Sequence, residues 1–240
     1  MPNGIYTALS GALAQETLFE LSSNNLANVE TAGFRGQKGV FKEVLAQYEN
    51  EPPNASQRMV KVDEVITDFE PGRLVHTDRP LDTMILGDGF YAVDTPDGER
   101  YTRSGVFSID AERKLVDMNG YAIVGDGGPI EVPEGESITI AENGTISAGE
   151  LEIGRLKVVQ FEEQEQLQRF GHNLFVAPPE LEPVAVENPT LRIGVYESSN
   201  VNVVREMTEI VKISRAHEAF QRCIETFRST DRRTATDIGR

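Results

Sequence analysis

Tryptophan is absent from these 240 residues, and cysteine occurs once, at Cys223. A single thiol closes no intramolecular disulfide, so packing and hydrogen bonds must hold the fold. Cys223 itself reads as a small buried hydrophobe rather than a reactive thiol. No stretch approaches the ~18 apolar residues of a membrane span, so no membrane insertion is expected. The opening MPNGIYTALSGALAQETL has no basic start, and Gln15 and Glu16 interrupt its apolar run, unlike a secretory signal peptide. On those rules alone the chain reads as cytoplasmic. Positive charge is scarce as well, with 23 Lys and Arg against 39 Asp and Glu, net −16. The imbalance is concentrated in residues 51–202, which hold 12 basic and 28 acidic side chains, while both ends are nearly neutral. Such a surface repels phosphate backbones and argues against nucleic-acid binding.

Histidine is also sparse, and His76, His172 and His217 are scattered without a zinc-ligand spacing. His76, Asp78 and Ser104 form no credible triad, because no nucleophile elbow surrounds that serine. Glu162 and Glu163 read as a solvated turn rather than glycosidase carboxylates. GDGF and GDGG lack the Lys-Ser/Thr of a phosphate loop. DAERKLVDMNG (110–120) puts Arg113 and Lys114 where a calcium loop wants ligands. The expectation is a protein with no catalytic site, no metal and no cofactor.

What the chain does have is periodicity at both ends. Ile5, Ala12, Phe19 and Leu26 recur seven apart, with Leu9, Leu13, Leu18 and Leu21 beside them, which predicts an amphipathic helix. Val203, Ile210, His217 and Ile224 repeat that spacing near the C-terminus, with Ile213, Phe220 and Phe227 in an adjacent row. Together they make an a/d-like seam in which His217 sets register. Between the ends, TPDG (95–98), GDGG (125–128) and ENG (142–144) punctuate short alternating runs such as SITI (137–140) and RLKVVQF (155–161). The predicted class is α+β: long N- and C-terminal helices forming a coiled-coil-like pair, with an antiparallel β-domain between them. The predicted boundaries are helices over 1–30 and 203–240 forming one inner assembly domain, an extended linker over 31–73 containing the polar ENEPPNASQ, and a β-rich domain over 74–202. Isolated helices are marginal in water, so both stripes call for partners on assembly.

NNLANVETAGF (24–34) closes the first helix with an unusual density of amides. Asn28 suits a left-handed helix end, Gly33 a second tight turn, and Phe34 an apolar anchor. Asn24 and Asn25 sit where buried amides can bond carbonyls the helix leaves unpaired. A capped helix end on a monomer surface and a packed contact between subunits both fit these residues.

SSNNLANVETAGFRGQKGVF at one end and YESSNVNVVREMTEIVKISRAHE at the other resemble the terminal signatures of the flagellar axial proteins, the family of rod, hook and hook-associated subunits. RPLDTMILGDGFYAV (79–93) and YTRSGVFSIDAERKLVDMNGYAIVG (101–125) resemble that family's shared β-domain. GPIEVPEGESITIAENGTIS (128–147) and the short stretch between Phe41 and Pro71 are most like the proximal-rod branch, whereas SNVNVVREM is closer to the distal one. The resemblance implies a non-enzymatic subunit that stacks helically into the drive shaft from motor to hook. It implies export through the flagellar export apparatus without a cleaved signal, which replaces the cytoplasmic reading with a periplasm-spanning rod in the basal body. Its implied partners are further copies, other rod proteins, and hook or ring proteins. The residues expected at the assembly interface are Ile5, Leu9, Ala12, Phe19, Asn24, Asn25, Leu26, Asn28, Gly33, Phe34, Asn200, Asn202, Val203, Ile210, Ile213, His217, Phe220, Ile224 and Phe227. A monomeric periplasmic β-domain binding module is the alternative of a different class.

Overall fold

The computed structural model describes residues 2–46 and 57–238; most of the polar stretch ENEPPNASQ lies outside the described residues. The chain divides into two compact units. One comprises Met1–Ala27, Gln37–Asp68 and Asn202–Arg240, and the other Asn28–Gly36 and Phe69–Val201.

The first unit holds helix α1 (Pro2–Ala27), strands β1 (Gln37–Ala46) and β2 (Gln57–Thr67), and helix α2 (Val203–Ile238). Proline at the start of α1 costs nothing, because that N–H has no intrahelical acceptor. Asn202 caps α2: its Oδ1 accepts the Arg205 N–H at 3.1 Å, and its carbonyl accepts the Glu206 N–H at 2.9 Å. β1 and β2 form an antiparallel hairpin with Gln37 opposite Thr67 and a register shift between Val40 and Phe41. The sequence reading assigned 31–73 to an extended linker and did not anticipate this hairpin. Its length and the β-branched run from Met59 to Thr67 favour strands, and α1 packs against it. A Cβ added to Gly39 would lie 2.9 Å from Leu18 Cδ2, a measure of how closely strand and helix approach.

The second unit is antiparallel throughout its paired strands. Its central strand, Phe90–Thr95, pairs with Gly98–Thr102 on one edge and with Ala122–Gly125 and Val158–Gln160 on the other. FYAV at its start is a continuous apolar run, because both faces are covered. Tyr91 and Val93 enter a core with Phe107, Leu115, Ile123 and Leu156, while Phe90 and Ala92 enter a second with Tyr101, Phe161 and Phe175. In that second core Phe90 meets Phe161 and Phe175 edge-to-face, at 5.8 and 5.7 Å between centroids. The three turns expected from sequence lie at strand connections. Thr95 faces Gly98, Gly125 faces Gly128, and the Asn143 Oδ1 accepts the Thr145 N–H at 3.0 Å beside Gly144 at φ +83°. The α+β class therefore holds, with a long helix at each end of the sequence and β-structure between.

Candidate functional site

The two terminal helices run antiparallel, and small residues of α1 receive aromatic rings of α2. Cβ atoms added to Gly4 and Gly11 would come within 2.9 Å of Phe227 and 2.5 Å of Phe220. Both pairs are seven residues apart along each helix, two turns, so they repeat on one face. Just beyond the Gly11–Phe220 contact the His217 Nδ1 lies 3.4 Å from the Ala12 carbonyl, and its Nε2 lies 2.8 Å from the Gln221 amide nitrogen. Ala8, Ala12 and Ile213 are buried, and Ile5, Leu26, Ile210, His217, Phe220, Ile224 and Phe227 half-buried. Leu9, Phe19 and Val203 are exposed. The stripe read from sequence thus divides: the small residues of α1 meet α2, and several of its large ones face outward. Gly4 and Gly11 were missed because glycine scores as a helix breaker; the signal was their recurrence seven apart on the alanine-rich side. Truncating Phe220 to alanine empties the notch at Gly11 and should cost about 3 kcal/mol in helix-pair stability. Loss of helical circular dichroism at lower temperature in the Phe220→Ala variant checks this.

The amides at the end of α1 find partners in their own chain. Asn25, buried, accepts the Gln37 N–H through Oδ1 and donates through Nδ2 to the Gln37 carbonyl, both at 2.8 Å. It therefore joins the helix end to the first residue of β1, satisfying a strand backbone that lacks a ladder partner there. Asn24 is exposed and Asn28 half-buried. Asn28 does not take the left-handed backbone expected of it; it opens a turn in which its carbonyl accepts the Thr31 N–H at 3.1 Å. The left-handed residue is Gly33, at φ +66°. Leucine at position 25 removes both bonds and leaves the Gln37 N–H and carbonyl without that partner. The Asn25→Leu variant should lose about 2 kcal/mol, read as faster amide exchange at Gln37.

Within the second unit, TAGFRG (31–36) docks on the strand Val195–Glu197. Gly33 N–H donates to the Glu197 carbonyl at 2.7 Å, and the half-buried Asn200 receives Gly36 N–H at 2.8 Å while donating to the Glu70 carbonyl at 3.0 Å. Phe34 is buried beneath the Arg169 guanidinium, 4.2 Å from the ring centroid. Burial lowers the Arg169 pKa to about 10, so it remains charged at neutral pH. Glu197, Arg35 and Arg103 form a buried ion cluster. The carboxylate accepts from Arg35 Nη1 at 2.6 Å, from Gly72 N–H at 2.7 Å and from Arg103 Nε at 2.8 Å. Arg103 also donates to the carbonyls of Ile85, Gly87 and Gly89, fixing the loop before the central strand. Sequence reasoning missed this cluster because its members are 162 and 94 residues apart and each alone reads as a surface charge. Cys223, expected to be buried, is exposed on α2.

These arrangements organise chain ends and backbone junctions, not a reaction centre. The model for the flagellar hook protein FlgE/F/G D1 domain matches residues 84–148, and that for the flagellar basal body rod FlgEFG protein C-terminal matches 193–237. The chain is 36% identical over 241 residues to the flagellar basal-body rod protein FlgF of Escherichia coli, covering 94% of each. It is 37% identical to FlgF of Salmonella typhimurium over 91% of each, and 32% identical to FlgG of Borreliella burgdorferi over 94% of the chain and 95% of that relative. The chain belongs to the flagellar basal-body rod protein family, structural components of the rod rather than enzymes.

Proposed function

We propose that this rod subunit occupies the proximal part of the shaft, polymerising helically with further copies and with other rod proteins to transmit torque from motor to hook. The observation that carries the reading is the uncovered apolar surface of the terminal helices, including Leu9, Leu13 and Phe19 of α1 and Val204, Met207 and Val211 of α2. A monomer gains nothing from leaving them in water, and burial on assembly is worth roughly 25 cal/mol per Å² of apolar surface. The same surface weighs against a monomeric β-domain binding module. The paired Gly4–Phe227 and Gly11–Phe220 contacts support a coiled-coil-like inner domain formed by both ends, with His217 reaching across the pair to Ala12, Asn25 tying α1 to β1 and Asn202 capping α2. The remaining residues singled out in the sequence either line that domain or, as with Gly33, Phe34 and Asn200, shape the β-rich unit.

The proximal position rests on the FlgF relatives at 36% and 37% identity against 32% for the FlgG relative. The distal position is the second reading, favoured by SNVNVVREM at the start of α2. In either position the subunit passes through the flagellar export apparatus without a cleaved signal, enters a rod that crosses the periplasm, and neighbours hook or ring proteins. Deleting the gene and imaging the basal bodies separates the two positions. Arrest before any distal rod forms supports the proximal reading, and a proximal stub that carries no outer shaft replaces it with the distal one.

A further inference from the structure

Away from the seam, each terminal helix carries a second apolar stripe. On α1 it is Tyr6, Leu9 and Leu13; on α2 it is Val204, Met207 and Val211, with exposures from 44% to 74%. The spacing is three and then four residues in both, so each trio runs along one helix face. Beyond the trio the faces take opposite charge. The α1 face continues into exposed Glu16 and Glu20. The α2 face continues into exposed Arg215, Glu218 and Arg222, with Glu218 held 3.7 Å from Arg222. Neither trio meets the other within one chain, because the internal pair runs antiparallel and is joined through Gly4, Gly11, Phe220 and Phe227.

We infer that, given the rod-subunit reading above, the outer face of α1 in one copy lies parallel to the outer face of α2 in the next. Tyr6, Leu9 and Leu13 then meet Val204, Met207 and Val211, Glu16 falls beside Arg215, and Glu20 comes level with the Glu218–Arg222 pair. The matched rhythm lets the two ridges mesh over two turns. Parallel alignment sets apolar against apolar and Glu16 against Arg215. The antiparallel alternative stacks Leu13 on Val204 and Tyr6 on Val211, and carries Glu16 and Glu20 past the first residue of α2, away from Arg215. A contact between two different faces is heterologous, so it leaves an unused α1 face at one end of a pair and an unused α2 face at the other. It therefore propagates through a series of copies rather than closing a two-fold dimer.

The test is disulfide trapping in purified hook–basal bodies. Cells carry the chain with Cys223→Ser, Leu13→Cys and Val211→Cys, and the basal bodies are oxidised. Expected is a ladder of linked copies of this subunit, with no linkage from either cysteine alone or from Leu13→Cys combined with Val204→Cys. A ladder from the 13/204 pair instead, or incorporated subunits that give none from 13/211, overturns the parallel pairing and leaves the rod reading standing. Absence of the native chain from the basal bodies removes both. Should the cysteine pair prevent incorporation, charge exchange decides: Glu16→Arg lowers incorporation at least tenfold, and adding Arg215→Glu restores it. Failure of that restoration also overturns the pairing.

Discussion

Glutamine in place of Glu197 lowers the stability of the β-rich unit by roughly 3–5 kcal/mol, because it leaves two buried guanidiniums without their counter-charge. The shape of the side chain is kept, so the loss reports charge and hydrogen bonding. In the native chain both carboxylate oxygens accept, one from Arg35 and the Gly72 N–H and the other from Arg103. A glutamine NH₂ would set a donor against one of those donors. The thermal midpoint of this unit should fall by about 10 °C, given ~2–4 °C per kcal/mol for a domain of this size. Burial acts to raise the Glu197 pKa, but the charges of Arg35 and then Arg103 outweigh it and hold the carboxyl below its ordinary value. The folded pKa is therefore depressed, and the stability it contributes is complete above the unfolded value near 4.5 and is lost as pH falls through the folded value. The gap in midpoint between native and Glu197→Gln chains should stay constant down to about pH 5 and narrow below it. A gap that widens in acid would contradict the sign of the coupling.

Alanine at Gly33 is the second large effect. Its Cβ would stand 2.4 Å from the Ser104 backbone nitrogen and 2.5 Å from the Arg103 carbonyl carbon, and neither can yield as a flexible side chain would. The residue is also left-handed, at φ +66°. Strain of about 1 kcal/mol for the backbone and 1–3 kcal/mol for overpacking sums to roughly 3 kcal/mol. Gly120→Ala is the control: it shares the left-handed backbone, at φ +85°, but an added Cβ meets nothing within 4 Å. It should show the backbone cost alone. Equal losses at the two positions would mean that the close approach of residue 33 to Arg103 and Ser104 does not matter. The displacement also bears on Phe34 and Arg35, which follow it and supply the ring under Arg169 and the first cation of the Glu197 cluster.

The consequences of periodicity were readable from sequence, and those of side-chain size and long-range pairing were not. Repeats of seven at both ends located α1 and α2, and Pro-Asp-Gly, Gly-Asp-Gly-Gly and Asn-Gly located hairpin turns. The apolar stripe of α1 was legible as a stripe but not by orientation. Leu9 and Ala12 both belong to it, yet only Ala12 is buried within the chain, because closely packed helices select small residues where aromatic rings must fit. The β1–β2 hairpin was missed because its charged residues, among them Lys38, Lys42, Asp63 and Glu64, break up the alternation. Two of these lysines lie in ion pairs, Lys38 with Asp68 and Lys42 with Asp63. Asn25 was legible as an amide needing a partner, but the partner, the Gln37 backbone, depends on the chain returning to the helix end after ten residues. Arg35, Arg103 and Glu197 gave no local signal.

Mass spectrometry of detergent-purified hook–basal bodies from the source cell tests the central claim most directly. A subunit of the rod predicts that peptides of this chain, from both terminal helices and the β-rich unit, are present in stoichiometric amounts that survive stringent washing. Their absence from complete basal bodies that rotate normally would contradict the account.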